Sequence, residues 1–331
     1  MPFTIQVSVD ESQLPGKVTH EIHEMLNHRV LNHKFLYDTV KQAEKWLVIH
    51  EAYSPARNDP QCVDTYDQAF QDVVIDWKGD SALVVGLGCG GGHKEVRLLE
   101  LLARVGVDCD FVGADVSLPL VLSTWQQFER ANKKRIFGSC HPWVLDLLTA
   151  THVRQSLTKM THGKKPRLIS FFGMIPNFEP VDILPKLASI LRRQDRLLLS
   201  ANLAPGDCYA DGIKKVLPLY DNAQTRDWLE SAFWALGFEP EDGHTHFRIQ
   251  SSPHNPRLQR IQAGFSFSKS RRIKYQGREY HFKRGQEFQL FFSYRYSTEL
   301  LAQTLADHDL TVEKSWVTSS GEEGVFLIHR R

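Results

Sequence analysis

Glycines crowd a short stretch of the chain between an apolar run and a segment with helical spacing. Gly86-Leu-Gly-Cys-Gly-Gly-Gly92 follows Leu83–Val85 and precedes Lys94–Ala103, whose pattern predicts a helix. Because glycine has no Cβ atom, such a turn lets a ligand approach the backbone and the helix N-terminus. The order of strand, glycine turn and helix therefore predicts a site for a nucleotide or for the amino-acid portion of a cofactor.

A carboxylate follows the next predicted strand. Val107–Val112 leads to Gly113, Ala114 and Asp115, and ligands of an open parallel sheet bind beyond the carboxyl ends of its strands. A carboxylate placed there accepts both hydroxyls of a ribose, so turn and carboxylate together predict a nucleotide-containing cofactor. Gly86 to Gly91 fits the G-x-G-x-x-G pattern of dinucleotide-binding proteins. The alternative is S-adenosylmethionine, whose binding loop is also rich in glycine.

Three features favour S-adenosylmethionine. Asp146 follows a further strand-like segment, where a carboxylate can accept the adenine amino group. The apolar run that ends at Gly173 places Asn177 beside the sheet. The last two strand-like runs, Thr311–Trp316 and Gly324–Ile328, predict a closing antiparallel hairpin, the usual finish of the methyltransferase fold.

The elements that position these residues change in character along the chain. Short apolar strands alternate with helices from Leu83 to Ser200, which predicts a parallel sheet covered on both faces, a doubly wound, Rossmann-like α/β fold. Helical spacing from Lys17 to Ile49 precedes this region. After Asp211, two helical stretches lead into antiparallel strands. The chain is therefore predicted to combine an α/β domain that has an antiparallel end with a second, α+β unit.

The composition argues against several classes of protein. The 331 residues carry a net charge of +1, which gives no electrostatic reason to expect nucleic acid. No window approaches 18 uninterrupted apolar residues, and the N-terminus lacks the basic and then apolar run of an export signal. The five cysteines contain no C-x-x-C pair, so neither a disulfide framework nor a zinc site is expected. We expect a cytoplasmic protein that binds no metal, nucleic acid or membrane, and its oligomeric state stays open.

Seven short motifs occur in a specific order and spacing. They are Phe35-Leu-Tyr37-Asp, Tyr53-Ser-Pro-Ala-Arg57, Gly88-Cys-Gly90-Gly-Gly-His-Lys94, Ala114-Asp115-Val, Phe172-Gly173 with Asn177, Leu219-Tyr220-Asp221, and Phe282-Lys-Arg-Gly285-Gln-Glu287 leading to Ser293. Together they resemble the S-adenosylmethionine-dependent histidine Nα-methyltransferases of ergothioneine biosynthesis and related amino-acid N-methyltransferases. The resemblance covers most of the chain, from about residue 35 to the C-terminus.

This resemblance implies an enzyme of two parts. Residues 60–210 and 298–331 correspond to the S-adenosylmethionine-binding class I methyltransferase domain, and residues 15–59 and 211–297 to the substrate-binding domain. The predicted catalytic residues match positions that hold the α-amino and α-carboxylate groups of an amino-acid substrate; they are Tyr53, Asn177 and Tyr220. The predicted cofactor-binding residues are Tyr37, Gly88, Gly90, Lys94, Asp115, Asp146 and Gly173.

The chain departs from the family pattern at three places. The family has an acidic residue just ahead of the glycines, where this chain has Gly86, and the loop of Asn177 is one residue shorter. The histidine enzymes have Glu-x-Ser where this chain has Phe291-Phe-Ser293, and that glutamate recognises the imidazole. Because an imidazole N–H buried without its acceptor costs about 1–3 kcal/mol, Phe291 and Ser293 predict an apolar, aromatic or otherwise non-imidazole side chain on the substrate.

These observations predict a methyltransferase that acts on the α-amino nitrogen of a free amino acid or a close derivative. Histidine Nα-methylation is the nearest alternative. A dinucleotide-dependent oxidoreductase using the same glycine turn, and a noncatalytic relative that binds an amino acid or a partner protein, are the others.

Overall fold

An eight-stranded, mostly parallel sheet forms the centre of the protein in a computed structural model, which describes residues 4–53, 59–160 and 165–331. The strands, numbered along the chain, are β1 (Ser8–Val9), β2 (Ser81–Leu87), β3 (Asp108–Asp115), β4 (Cys140–Val144), β5 (Arg167–Phe172), β6 (Arg196–Asn202), β7 (Gly243–Ser251), β8 (Gln259–Phe267), β9 (Arg271–Tyr275), β10 (Arg278–Phe282), β11 (Glu287–Arg295), β12 (Leu310–Val317) and β13 (Glu323–Arg330). The order in the large sheet is β1-β4-β3-β2-β5-β6-β13-β12. Only β13 runs against its neighbours, β6 and β12.

Helices connect the strands. The α-helices are α1 (Pro15–His28), α2 (Val40–Tyr53), α3 (Pro60–Ile75), α4 (His93–Arg104), α5 (Leu118–Ala131), α6 (Val153–Met160), α7 (Pro180–Ile190), α8 (Tyr209–Val216), α9 (Ala223–Trp234) and α10 (Thr298–Ala306). Short 3-10 segments lie at Glu11–Gln13, His33–Leu36, Asn132–Lys134, Ile175–Asn177, Leu217–Leu219 and Pro240–Asp242. None of the described helices is long and apolar enough to cross a membrane.

The large sheet is buried on both faces, as the continuous apolar strands predict. Leu83 and Val85 of β2 point into one apolar cluster, whereas Ala82 and Val84 point into another on the opposite face. The strand order reverses between β2 and β5, and such a reversal opens a crevice at the carboxyl ends of the two strands. The predicted doubly wound α/β fold with an antiparallel end is confirmed.

A second layer of structure covers this crevice. It contains a three-stranded antiparallel sheet, β11-β8-β7, and the separate β9–β10 hairpin. Helices α1 and α9 pack on these strands in a third apolar cluster that includes Met25, Phe233 and Phe288. His23 and Tyr280, which are 257 residues apart in the chain, are hydrogen-bonded within this layer. The division of the chain into two domains with the boundaries given above stays a prediction.

Backbone and ionic contacts hold the second layer on the large sheet. The N–H of Tyr296 donates to the carbonyl oxygen of Asn202 at 3.1 Å, which brings the end of β11 to the end of β6. Nearby, the Arg260 guanidinium donates to Glu179 Oε1 at 2.6 Å, and the Tyr294 hydroxyl donates to Glu179 Oε2 at 2.7 Å. The second layer is therefore joined to the rest of the protein both through backbone and through the Glu179 carboxylate at the start of α7.

The structure differs from the sequence-based expectation at the N-terminus. The helical spacing from Lys17 to Ile49 is divided between α1 and α2, because Arg29 takes a left-handed backbone conformation after α1. A 3-10 segment then carries the chain to Tyr37. Helix α3, which lines the candidate active site, was not predicted from the sequence. Residues 54–57 of the Tyr53 motif lie outside the described residues.

The contact between Glu179 and Arg260 gives a prediction about stability. The two side chains are 18% and 8% exposed, and removing one partner of a buried pair leaves an uncompensated charge that costs about 3 kcal/mol. Glu179→Gln should therefore lower the free energy of unfolding by about that amount in urea denaturation. Asp211→Asn, which disrupts the exposed pair with Lys214, is the matched control and should leave the urea midpoint unchanged. Equal midpoints for both variants would contradict this account of how the layers are joined.

Candidate active site

Two adjoining cavities lie at the carboxyl ends of β2, β3 and β5. The larger has a volume of about 560 Å³ and the smaller about 240 Å³. Both are lined by Tyr37, Gly88, Asp115, Met174 and Asn177, so four predicted site residues stand where the cavities meet. A Cβ atom added to Gly88 would lie 2.7 Å from the Met174 side chain, which shows how closely that side chain covers the glycine turn.

The glycine turn is fixed by hydrogen bonds to the neighbouring strand. Gly88 has a φ of +71°, a left-handed conformation that favours glycine, and its N–H donates to the carbonyl oxygen of Ala114 at 2.8 Å. The N–H of Gly90 donates to Asp115 Oδ2 at 2.9 Å. Asp115 Oδ1 accepts the N–H of Ser117 at 3.0 Å. The predicted turn and the predicted carboxylate are thus parts of one hydrogen-bonded unit.

Asp115 is buried where both cavities meet. Burial raises the pKa of this carboxyl to about 6, although the N–H groups of Ser117 and Gly90 favour its charged form. Each Asp115 oxygen has an amide donor already and retains further acceptor capacity. Donors from a ligand, such as two ribose hydroxyls, would stabilise the ionised form further.

The smaller cavity combines apolar walls with a second carboxylate. Asp146 lines it beside Leu145 and Leu147. Asp146 Oδ1 accepts the N–H of Leu148 at 3.0 Å, and Oδ2 lies 3.5 Å from Lys34 Nζ. Such a slot suits a flat, mostly apolar ring that carries a hydrogen-bond donor, consistent with the expectation for adenine.

Lys94 belongs to a buried network on the floor of the larger cavity. Its Nζ donates to the Tyr66 hydroxyl at 2.8 Å and lies 4.0 Å from Glu323 Oε1. The Tyr66 hydroxyl in turn donates to Glu323. Sequence reasoning missed Tyr66 and Glu323, because nothing in the local pattern indicates that α3 and β13 meet at the glycine turn.

The two remaining predicted cofactor residues also line the larger cavity. Tyr37 packs edge-on against Trp46, with 5.7 Å between ring centroids, and its hydroxyl has no hydrogen-bond partner among the described side chains. Burial and the nearby Asp115 raise the pKa of the Tyr37 hydroxyl, so it stays protonated as a donor. Gly173 has a φ of +68°, and a Cβ atom added to it would meet nothing within 4 Å. The strand end at Gly173 therefore leaves open space on the cavity wall.

The three predicted catalytic residues line one cavity but are held differently. Tyr53, 44% exposed, donates from its hydroxyl to Gln224 Oε1 at 3.0 Å. Asn177 ends the 3-10 turn after β5, and its side-chain amide makes no hydrogen bond with any part of the chain that the structure describes. Tyr220 is half-buried on the side of the second layer. The structure therefore brings Tyr53, Asn177 and Tyr220 to one cavity.

The hydroxyl of Tyr220 is the centre of a polar cluster. It accepts a hydrogen bond from Arg295 Nη2 at 2.9 Å and lies 2.9 Å from Ser293 Oγ. Because a guanidinium only donates, the phenol proton is available to Ser293. Arg295 also donates to the carbonyl oxygen of Leu203 at 3.1 Å. Within the described part of the chain, its Nε has no hydrogen-bond partner and no carboxylate forms an ion pair with it. Sequence reasoning missed Arg295, although it lies two residues beyond Ser293.

Phe291 lies behind the cavity walls. Its ring is 4.9 Å from the His33 ring and 5.8 Å from the Trp228 ring, measured between centroids. His33 lines the smaller cavity. Burial lowers the pKa of His33 to about 4, and its Nε2 has no hydrogen-bond partner among the residues that the structure describes. Neither Phe291 nor Ser293 is among the residues lining the two cavities. Ser293 is instead hydrogen-bonded to Tyr220, and Phe291 packs on His33. Both of these partners line a cavity.

A family model of SAM-dependent, histidine-specific methyltransferases matches residues 18–330. The chain belongs to this family. The protein is therefore a methyltransferase that uses S-adenosylmethionine, and its cavities fit this cofactor. Asp115 would offer a buried acceptor to its ribose, the smaller cavity would suit a flat ring beside Asp146, and the open wall at Gly173 would leave room for the rest.

Solved structures show more distant similarity. Mitomycin 7-O-methyltransferase MmcR is 14% identical over 97% of this chain and 70% of its own, with a TM-score of 0.42. The CcbJ methyltransferase of Streptomyces caelestis is 11% identical over 83% of this chain and 97% of its own, with a TM-score of 0.40. OxaC in complex with SAH and oxaline is 13% identical over 89% of this chain and 53% of its own, with a TM-score of 0.45. No curated protein gives a significant match.

Protonation of Asp115 gives a prediction about cofactor binding. Its pKa of about 6 means that the carboxylate is ionised at neutral pH and largely protonated near pH 5. Because ribose hydroxyls donate to the ionised form, affinity for S-adenosylhomocysteine should fall roughly tenfold between pH 7.5 and pH 5.

Isothermal titration calorimetry at both pH values measures this change. Asp115→Asn should bind more weakly at neutral pH and should show a smaller fall in affinity between the two pH values than the wild type. A wild-type dissociation constant that is the same at both pH values, in folded protein, would remove Asp115 from the ribose site.

Proposed function

We propose that this methyltransferase transfers a methyl group to the α-amino nitrogen of a free amino acid or close derivative. The observation that carries the proposal is the uncompensated charge of Arg295. The Arg295 side chain is 7% exposed, lines the larger cavity and pairs with no described carboxylate. A buried guanidinium in this state favours an anionic ligand, and the α-carboxylate of an amino acid is such a group.

The groups around Arg295 suit the rest of an amino-acid head. Tyr220, whose hydroxyl accepts from Arg295, lines the same cavity. So does Asn177, whose side-chain amide makes no hydrogen bond with the described residues. An amide oxygen accepts from an amine, whereas an amide NH₂ and a phenol donate to a carboxylate. We assign orientation of the substrate head to Asn177 and Tyr220.

When bound, S-adenosylmethionine supplies the electrophilic methyl group of a sulfonium. The protein then needs to align the nitrogen with that methyl group and keep the amine unprotonated. Asn177 and Tyr220 serve alignment. A water molecule beside Tyr53, which is partly exposed at the cavity, accepts the proton released from the nitrogen. The predicted cytoplasmic location stays a prediction.

We further propose that the substrate's side chain is not an imidazole. The position at which the histidine enzymes have glutamate is Phe291, which packs on His33 and Trp228. The remaining polar group of that motif, the Ser293 hydroxyl, is bonded to Tyr220. Because neither side chain lines a cavity, we infer that Phe291 acts through the His33 ring that it contacts, and that this apolar packing favours an apolar or aromatic substrate side chain. Histidine is the second candidate, which the description of the family model favours.

The role of Arg295 predicts a preference for substrates that have a carboxylate. Arg295→Met should raise the KM for the amino acid roughly 10- to 100-fold, since a charged hydrogen bond contributes about 1.5–3 kcal/mol. The same variant should change turnover of the matching decarboxylated amine little. Arg295→Lys, which retains the charge, is the control, and S-adenosylhomocysteine affinity and melting temperature confirm that each variant is folded. Equal losses for amino acid and amine would contradict carboxylate recognition.

Specificity gives a further prediction, measured as kcat/KM for each of the common amino acids with S-adenosylmethionine. The wild-type enzyme should prefer an apolar or aromatic amino acid over histidine. Phe291→Glu should shift the ratio toward histidine, because it restores an acceptor beside Ser293. Phe291→Gln, similar in size but uncharged, controls for loss of the ring. A wild type that prefers histidine, with a ratio that Phe291→Glu leaves unchanged, would show that this position does not select the side chain.

A further inference from the structure

A buried carboxyl group lies beneath the glycine turn, outside the set of residues that the motifs indicate. Glu95 in the first turn of α4 is 4% exposed and lines the larger cavity. Ser170 on β5 donates to Glu95 Oε1 at 2.9 Å. Burial raises the pKa of the Glu95 carboxyl to about 7. Because burial of an ionisable group costs free energy, a carboxyl group buried at a cavity indicates a function there.

The position of Glu95 is defined by a glycine. A Cβ atom added to Gly86 would lie 3.0 Å from Glu95 Cγ, 3.1 Å from Cys89 Cβ and 3.5 Å from Glu95 Cδ. Gly86 lies in β2, where its φ is not positive, so the backbone itself permits any residue. It is therefore the Glu95 side chain that occupies the space into which a side chain at position 86 would extend.

Gly86 is also where this chain lacks the acidic residue that its family has ahead of the glycines. We propose that Glu95 supplies this acidic group from helix α4, so that the carboxyl reaches the same place from the helix instead of from the strand. There it binds the ammonium group of the cofactor's amino-acid portion and holds the glycine turn. Lys94, the preceding residue, lines the same cavity with the opposite charge, which matches a zwitterionic ligand.

Removing the charge of Glu95 tests the proposal through the binding of cofactor analogues alone. Glu95→Gln, which retains the size of the side chain, should weaken S-adenosylhomocysteine binding roughly tenfold. It should leave affinity for 5′-methylthioadenosine, which has no amino-acid portion, within about twofold. Ser189→Ala, which removes only an exposed hydroxyl of α7 bonded to its own helix, is the control for substitution as such and should change neither affinity.

A double-mutant cycle examines the exchange of positions. Gly86→Asp alone should weaken S-adenosylhomocysteine binding, because the new side chain contacts Glu95. In the Glu95→Ala background, Gly86→Asp should restore most of the lost affinity. Wild-type affinity in Glu95→Gln, equal losses for both ligands, or a folded double variant that binds no better than Glu95→Ala would overturn the proposal. These measurements use no amino-acid substrate, so they are independent of the proposed function.

Discussion

The hydrogen bond from the Gly90 N–H to the Asp115 carboxylate is the contact on which the site depends. It fixes the turn after β2 to the end of β3, and the turn then sets where α4 begins. Because α4 begins there, Lys94 and Glu95 face the larger cavity. The same carboxylate stands where the two cavities meet, so the buried group that shapes the turn is also the one that both cavities share.

The opposite wall depends on how the second layer is seated. Backbone hydrogen bonds from the Tyr296 N–H to the Asn202 carbonyl oxygen and from the Ala204 N–H to the Tyr296 carbonyl oxygen place the end of β11 over the end of β6. This seating brings Arg295 within reach of Tyr220 and of the Leu203 carbonyl oxygen. The residues to which we assign recognition of the substrate head therefore lie among the contacts that join the two layers.

Much of this arrangement was predictable from local patterns. The apolar strands, the glycine turn and Asp115 can each be recognised within one segment of the sequence. Parallel connectivity then brings the carboxyl ends of the strands together. The roles of Glu95, Tyr66 and Arg295 were not predictable in this way. Each depends on contacts between elements far apart in the chain, such as Tyr66 on α3 with Glu323 on β13. The packing of Phe291 against His33 likewise follows from where a 3-10 turn lies on β11, which no periodicity specifies.

The third apolar cluster constrains how the chain is assembled. It joins Met25 and Leu26 of α1 to Phe288 and Leu290 of β11, so its N-terminal helix cannot be covered until nearly the whole protein has been synthesised. Contacts of such long sequence separation form slowly, since a large loop must close before any apolar surface is buried. During translation at about 5–20 residues per second, α1 therefore waits many seconds with its apolar face exposed. Folding in the cell would accordingly be sensitive to chaperones that shield this helix, and to losses from the C-terminal third of the chain.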